Sequence, residues 1–97
     1  MKHKIKPDTW IWVIVQNPGT NEQFFGQLDE QTNESFIPAF YQKEDAQQCL
    51  LNLTTEKGTK YEVQAIFFEE LVKDAAQNNF MIFMLDPDGK ILEKIKL

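Results

Sequence analysis

SFIPAFYQKEDAQQCLLNLTTEKGTKYEVQAIF, residues Ser35 to Phe67, is the stretch on which the fold turns. It opens with a short apolar run, Phe36-Ile37-Pro38-Ala39-Phe40. It continues with an amphipathic segment from Lys43 to Leu53, in which Ala46, Cys49, Leu50 and Leu53 follow the i, i+3, i+4, i+7 spacing of one helical face. Gly58, after Lys57, is a stop for that helix. In the closing run Tyr61, Val63, Ala65 and Phe67 alternate with Glu62 and Gln64, the pattern of a strand with one wetter face. Strand, helix and strand at this spacing predict a βαβ unit with a right-handed crossover and two parallel strands.

Upstream, Trp10–Gln16 (WIWVIVQ) is apolar on both faces. Trp10, Trp12 and Ile14 lie on one, and Ile11, Val13 and Val15 on the other, which places this strand in the middle of a sheet. Asn17-Pro18-Gly19-Thr20-Asn21 is dense in turn formers, so the next run, Gln23 to Leu28, is expected to pair antiparallel with the first. Gly26 marks either a bulge or a place where a large neighbour covers the strand, and Pro38, unable to donate a ladder hydrogen bond, argues for an edge or a bulge. Downstream, Phe68, Leu71, Val72, Ala75 and Ala76 form a second helical stripe that Asn78-Asn79 closes. Phe80 to Leu85 (FMIFML) reads as a second central strand, Asp86-Pro87-Asp88-Gly89 as a hairpin turn, and Lys90 to Leu97 as a final edge strand. The predicted class is α+β: one domain over residues 1–97, with a frayed segment at 1–8, a single mixed sheet, two helices and the order β-β-β-α-β-α-β-β. If both helices share one face, the other is open and holds the surplus aromatic residues.

Eight Phe, two Trp and two Tyr are a heavy aromatic load for 97 residues, and some of them are expected at a contact surface. The net charge of -5 and the absence of Arg, all ten basic residues being Lys, argue against nucleic acid as a partner, because bidentate phosphate and guanine contacts need the guanidinium fork. A single cysteine excludes a disulfide within the chain. The start, Met-Lys-His-Lys-Ile-Lys-Pro-Asp, has no apolar segment of signal-peptide type, and no run approaches a membrane span; the expected setting is the cytoplasm of a bacterium, with no membrane partner.

Candidate chemistry is sparse. Cys49 lies on the apolar stripe of a helix, the only histidine is His3, and the only serine, Ser35, lacks a base in the same way, so no nucleophile–base pair is evident. Asp86 and Asp88 resemble the start of a calcium loop, but Gly89 arrives two positions early and Lys90 stands where a third ligand belongs. Glu44-Asp45 and Glu69-Glu70 fall in the first turns of the two helices, where the macrodipole favours negative charge. Were the two pairs to meet, they would form an acidic cluster able to hold a divalent ion. No catalytic residue, metal or cofactor is assigned.

The runs FIPAFYQKEDAQQCL, KYEVQAIFFEELVKDA and FMIFMLDPDGK resemble the N-terminal domain of the enhanced serine sensitivity protein B (SseB) family over roughly Phe36 to Lys90. That family has an extended "lPvF" run before an acidic helix, a strand feeding a Leu-containing helix and an "l-x-P-x-G" hairpin in the same order. Tyr41-Gln42 departs from its Thr-Ser type cap. The beginning, VIVQNPGTNEQFFGQL, is similar instead to a small cyanobacterial and plastid family of unknown function. The resemblance implies an α+β binding or regulatory domain and no catalytic set.

Trp10 and Trp12, at i and i+2, point to the same face, and tryptophan is enriched at interaction hot spots. Either a helix covers that face or a partner does. The leading expectation is a non-enzymatic module that binds another protein, or itself as a homodimer, through an aromatic sheet face of Trp10, Trp12, Ile14 and Phe25. The alternatives are a metal- or metabolite-binding domain, enzymatic or not, built on the helix-terminal acids and the turn aspartates, and a ligand sensor with a pocket between helices and sheet.

Overall fold

The strand that is apolar on both faces is the hub of the molecule. The computed structural model describes residues 5–19, 22–52 and 57–95. Along the chain it forms β1 (Trp10–Gln16), β2 (Gln23–Phe24), β3 (Gln27–Asp29), β4 (Glu34–Phe40), α1 (Lys43–Asn52), β5 (Tyr61–Phe67), α2 (Phe68–Gln77), β6 (Met81–Leu85) and β7 (Ile91–Ile95). The fold is α+β: one mixed seven-stranded sheet with two helices.

β1 pairs antiparallel with β5 along its whole length, from Trp10↔Phe67 to Gln16↔Tyr61. Its other side is shared, Trp12 and Val13 pairing with Phe40 and Ala39 of β4, and Val15 and Gln16 with Phe24 and Gln23 of β2. Beyond β4 come β6, parallel to it, and then β7, antiparallel to β6. The order across the sheet is therefore β5-β1-β4-β6-β7, with β2 and β3 wedged between the diverging ends of β1 and β4.

This wedge accounts for two residues. The expected strand Gln23–Leu28 is split: β2 pairs with β1, β3 pairs with β4, and the chain changes partner at Phe25-Gly26. A Cβ on Gly26 would stand 3.0 Å from Cε1 of Phe80, so the glycine makes room for the ring that covers it. Pro38 is neither on an edge nor at a bulge of the β4–β6 ladder; it is fully buried in a central strand. By alternation its nitrogen faces the side where the neighbour changes from β3 at Phe36 to β1 at Ala39 and Phe40, so the missing donor falls where there is no ladder partner.

The expected βαβ unit is present with a correction. β4 and β5 run in the same direction, since each is antiparallel to β1, but β1 lies between them. The connection β4–α1–β5 crosses the sheet one way and β5–α2–β6 crosses back. Right-handed crossovers in opposite directions put their helices on opposite faces. Packing agrees: Ala46 and Cys49 of α1 join Ile14, Phe36, Phe40 and Phe83, whereas Leu71 and Ala75 of α2 join Ile11, Val13, Ile37 and Ile82. The sheet is thus covered on both faces, and Ile11–Val15 of β1, Phe36–Phe40 of β4 and the whole of β6 are apolar because both their faces are interior.

Residues 5–8, expected to fray, are tied down: Ile5 is buried with the α2-side cluster, and the Pro7 carbonyl accepts a hydrogen bond from the Glu69 N–H at 3.0 Å. Residues 1–4, His3 among them, and Leu53 of the predicted α1 stripe lie outside the described residues. The hairpin turn is as expected: Asp86 Oδ1 accepts from the N–H groups of Asp88 and Lys90 at 2.9 and 2.8 Å, and Gly89 takes φ +86°. Among the described residues no helix is long and apolar enough to cross a membrane.

Candidate functional site

The four residues expected to form an aromatic contact face do not form one. Trp10, Trp12, Ile14 and Phe25 do share a side of the sheet, but it is the side α1 covers. Ile14 and Phe25 are buried in the α1-side core. Trp12 is half-buried against the same cluster, with Lys43 Nζ of α1 5.8 Å from its ring centroid. Only Trp10 remains open: it is 56% exposed and stacks on Phe67 with centroids 3.9 Å apart and planes 27° from parallel. α1 begins beside Trp12, where Lys43 stands.

That stack stands on the edge of the sheet. Among the described residues β5 has a strand neighbour only in β1. The backbone geometry shows which of its groups face outward. Asn17 N–H donates to the Lys60 carbonyl at 2.8 Å and Phe68 N–H to the Thr9 carbonyl at 2.9 Å. In an antiparallel ladder hydrogen-bonded pairs alternate with non-bonded ones, so Glu62, Gln64 and Ile66 direct their backbone groups at β1. Val63 and Ala65 therefore direct N–H and C=O away from the sheet, and Phe67 directs its N–H the same way. The side chains of these three residues lie on the α1 side, directly opposite Ile14, Trp12 and Trp10.

Sequence reasoning did not single out Val63, Ala65 and Phe67. The signal available was that Tyr61–Phe67 contains neither Pro nor Lys, two common means of protecting an exposed edge. Its pairing with β1 shows no register shift either. The opposite edge differs: β7 is five residues long, carries Glu93 and Lys94, and meets β6 through a register shift at Met84/Leu85.

The acidic pairs are not brought together. Glu44-Asp45 begin α1 and Glu69-Glu70 begin α2, on opposite faces of the sheet, and among the described residues no group of three His, Cys, Asp or Glu side chains is placed to hold a metal ion. Asp86 is engaged by the backbone of its own turn. Cys49 is buried, and its thiol is pushed above its ordinary range by burial first and then by Asp86 and Asp88. A protonated thiol inside a core is a poor nucleophile.

On the other face a groove of about 690 Å³ runs between α2 and the sheet. Val13, Val15 and Phe24 are among its apolar lining, while Glu22, Glu70 and Asp74 bring carboxylates and no lysine among the described residues lines it. No protein-family model, curated protein or solved structure matches the chain.

Proposed function

We propose that this protein is a binding module that recruits a protein partner by strand addition at β5, with the Trp10–Phe67 stack as its side-chain anchor. The observation that carries the proposal is the contrast between the two edges of one sheet. β7 has the charges and the irregularity that blunt an edge, whereas β5 is seven residues long, regular and free of Pro and Lys, with a large exposed aromatic residue beside it. An incoming strand would find main-chain donors and acceptors at Val63 and Ala65 and an aromatic surface at Trp10; main-chain bonds supply affinity and side-chain pockets supply specificity in this mode of recognition. The SseB-like runs imply a binding or regulatory domain and agree with this reading.

The test compares the parent with Ala65→Pro, which deletes an outward N–H, and with Trp10→Ser, as baits in lysate of the source cells. Near-UV circular dichroism controls for the fold. A protein held by the parent and lost from both folded variants is the expected result. Folded variants that retain the same partners would overturn the reading.

The groove favours a second reading, a site for a small amine with an apolar body. A panel of aliphatic amines should then raise the melting temperature by mass action, and Glu70→Gln should reduce the effect. An unchanged melting temperature across the panel removes this reading.

A further inference from the structure

Resting on the strand-addition reading, we infer that the partner at β5 is a second copy of the same chain, joined antiparallel about a twofold axis that passes beside Gln64. The edge is self-complementary in register, in charge and in side-chain shape. Gln64 is the middle of the seven residues Tyr61–Phe67, so a twofold axis there overlaps two copies of β5 completely, with Val63 opposite Ala65 of the second copy and Ala65 opposite its Val63. These are the residues whose backbone groups point outward, and each such pair exchanges two N–H···O=C bonds. At least four main-chain bonds form and no strand is shifted.

The charges permit this register. Glu62, the one ionisable residue among the exposed and half-exposed positions of the strand other than Tyr61, falls opposite Ile66 of the second copy. The two Glu62 residues are four positions apart along the seam, about 13 Å at a strand rise of 3.3 Å per residue, beyond a Debye length of about 8 Å at physiological salt. Gln64 meets Gln64, whose amides can exchange hydrogen bonds.

On the α1 side the same register places Tyr61 opposite Phe67. Phe67 already stacks on Trp10 at 3.9 Å, and Tyr61 meets Phe25 edge-on at 5.8 Å. The seam would thus carry Trp10 and Phe67 of one copy next to Tyr61 and Phe25 of the other, twice by symmetry. Directly opposed aromatic side chains are among the more favourable cross-strand pairs. The arrangement is isologous and closes at two copies, whereas pairing of β5 with β7 of the next molecule is heterologous and does not close at two.

The experiment is sedimentation equilibrium on the purified full chain over a range of concentrations, for the parent, Ala65→Pro and Ala65→Lys. Amide hydrogen exchange by NMR accompanies it. Ala65 is exposed, so the lysine variant preserves the fold if proline does not. The expected result is a concentration-dependent dimer in which the Val63 and Ala65 amides are protected. Each substitution acts twice by symmetry, and the dissociation constant should rise roughly tenfold to a hundredfold in Ala65→Pro. Three outcomes overturn the inference: a monomer at every concentration, a dimer whose Val63 and Ala65 amides still exchange freely, or open-ended oligomers. If the parent is monomeric while lysate capture remains sensitive to Ala65→Pro, self-pairing falls and strand addition stands. If capture is insensitive as well, both fall.

Discussion

Replacing Phe83 by alanine should remove roughly a fifth or more of the stability of this protein while leaving its opposite core layer intact. The ring is fully buried at the centre of the α1-side cluster, stacks on Phe36 with centroids 4.2 Å apart, and has Lys94 Nζ 5.0 Å from its own centroid. Truncating a buried Phe costs about 3–5 kcal/mol, because transfer energy is lost and the cavity closes only in part. A domain of this size is stable by about 5–15 kcal/mol, and each kcal/mol moves the melting temperature by roughly 4–8 °C, so a fall of roughly 12–40 °C is expected. Guanidinium unfolding followed by tryptophan fluorescence is the assay, since Trp12 packs on the same cluster and reports on that layer. Ile11→Val, in the α2-side cluster on the far side of the sheet, should cost about 0.5–1.5 kcal/mol. β4 separates β1 from β6, so the two sites are at least about 10 Å apart, and the double variant should be additive within about 0.5 kcal/mol. A cost below about 1 kcal/mol for Phe83→Ala, or a coupling well above the additive limit, would refute a sheet with two independently packed faces.

Further outcomes at three residues follow from the geometry. Cys49 should label with a thiol reagent roughly a thousandfold or more slowly in the native state than in denaturant, as expected of a group that reacts only through opening. Because its folded pKa is raised above the ordinary 9.0, its contribution to stability is present below that value and is lost as pH rises through the folded pKa; Cys49→Ala should flatten the alkaline fall in unfolding midpoint. Asp29 behaves in the opposite sense. The Gln31 N–H at 3.1 Å, then Thr32 and Lys94, hold its carboxyl below the ordinary 3.8, so its contribution is present above that pH and is lost as pH falls through the folded value. Acid titrations of the parent and Asp29→Asn check this, with a shallower acid decline expected in the variant. Gly89→Ala should cost about 1–3 kcal/mol by urea denaturation, since φ is +86° while the added Cβ would meet only Cys49 Sγ at an ordinary 3.8 Å; Gly89→Asn should cost less.

Much of this molecule is local and was therefore legible residue by residue. The alternation in Tyr61–Phe67, the helical spacing of Ala46 with Cys49 and of Leu71 with Ala75, the turn chemistry of Asp86–Gly89 and the two-faced apolarity of β1 and β6 each reflect a periodicity or a backbone preference that acts over a few residues. Together they define an α+β domain with two helices. Strand order is a different kind of quantity, decided by which long-range pairings bury the most apolar surface. Placing β1 between β4 and β5 reverses the direction of the second crossover, and the handedness rule then sends α2 to the face opposite α1. That single tertiary outcome buries Ile14 and Phe25, half-covers Trp12, separates Glu44-Asp45 from Glu69-Glu70, and leaves the outward backbone groups of Val63 and Ala65 at an edge with no further strand among the described residues.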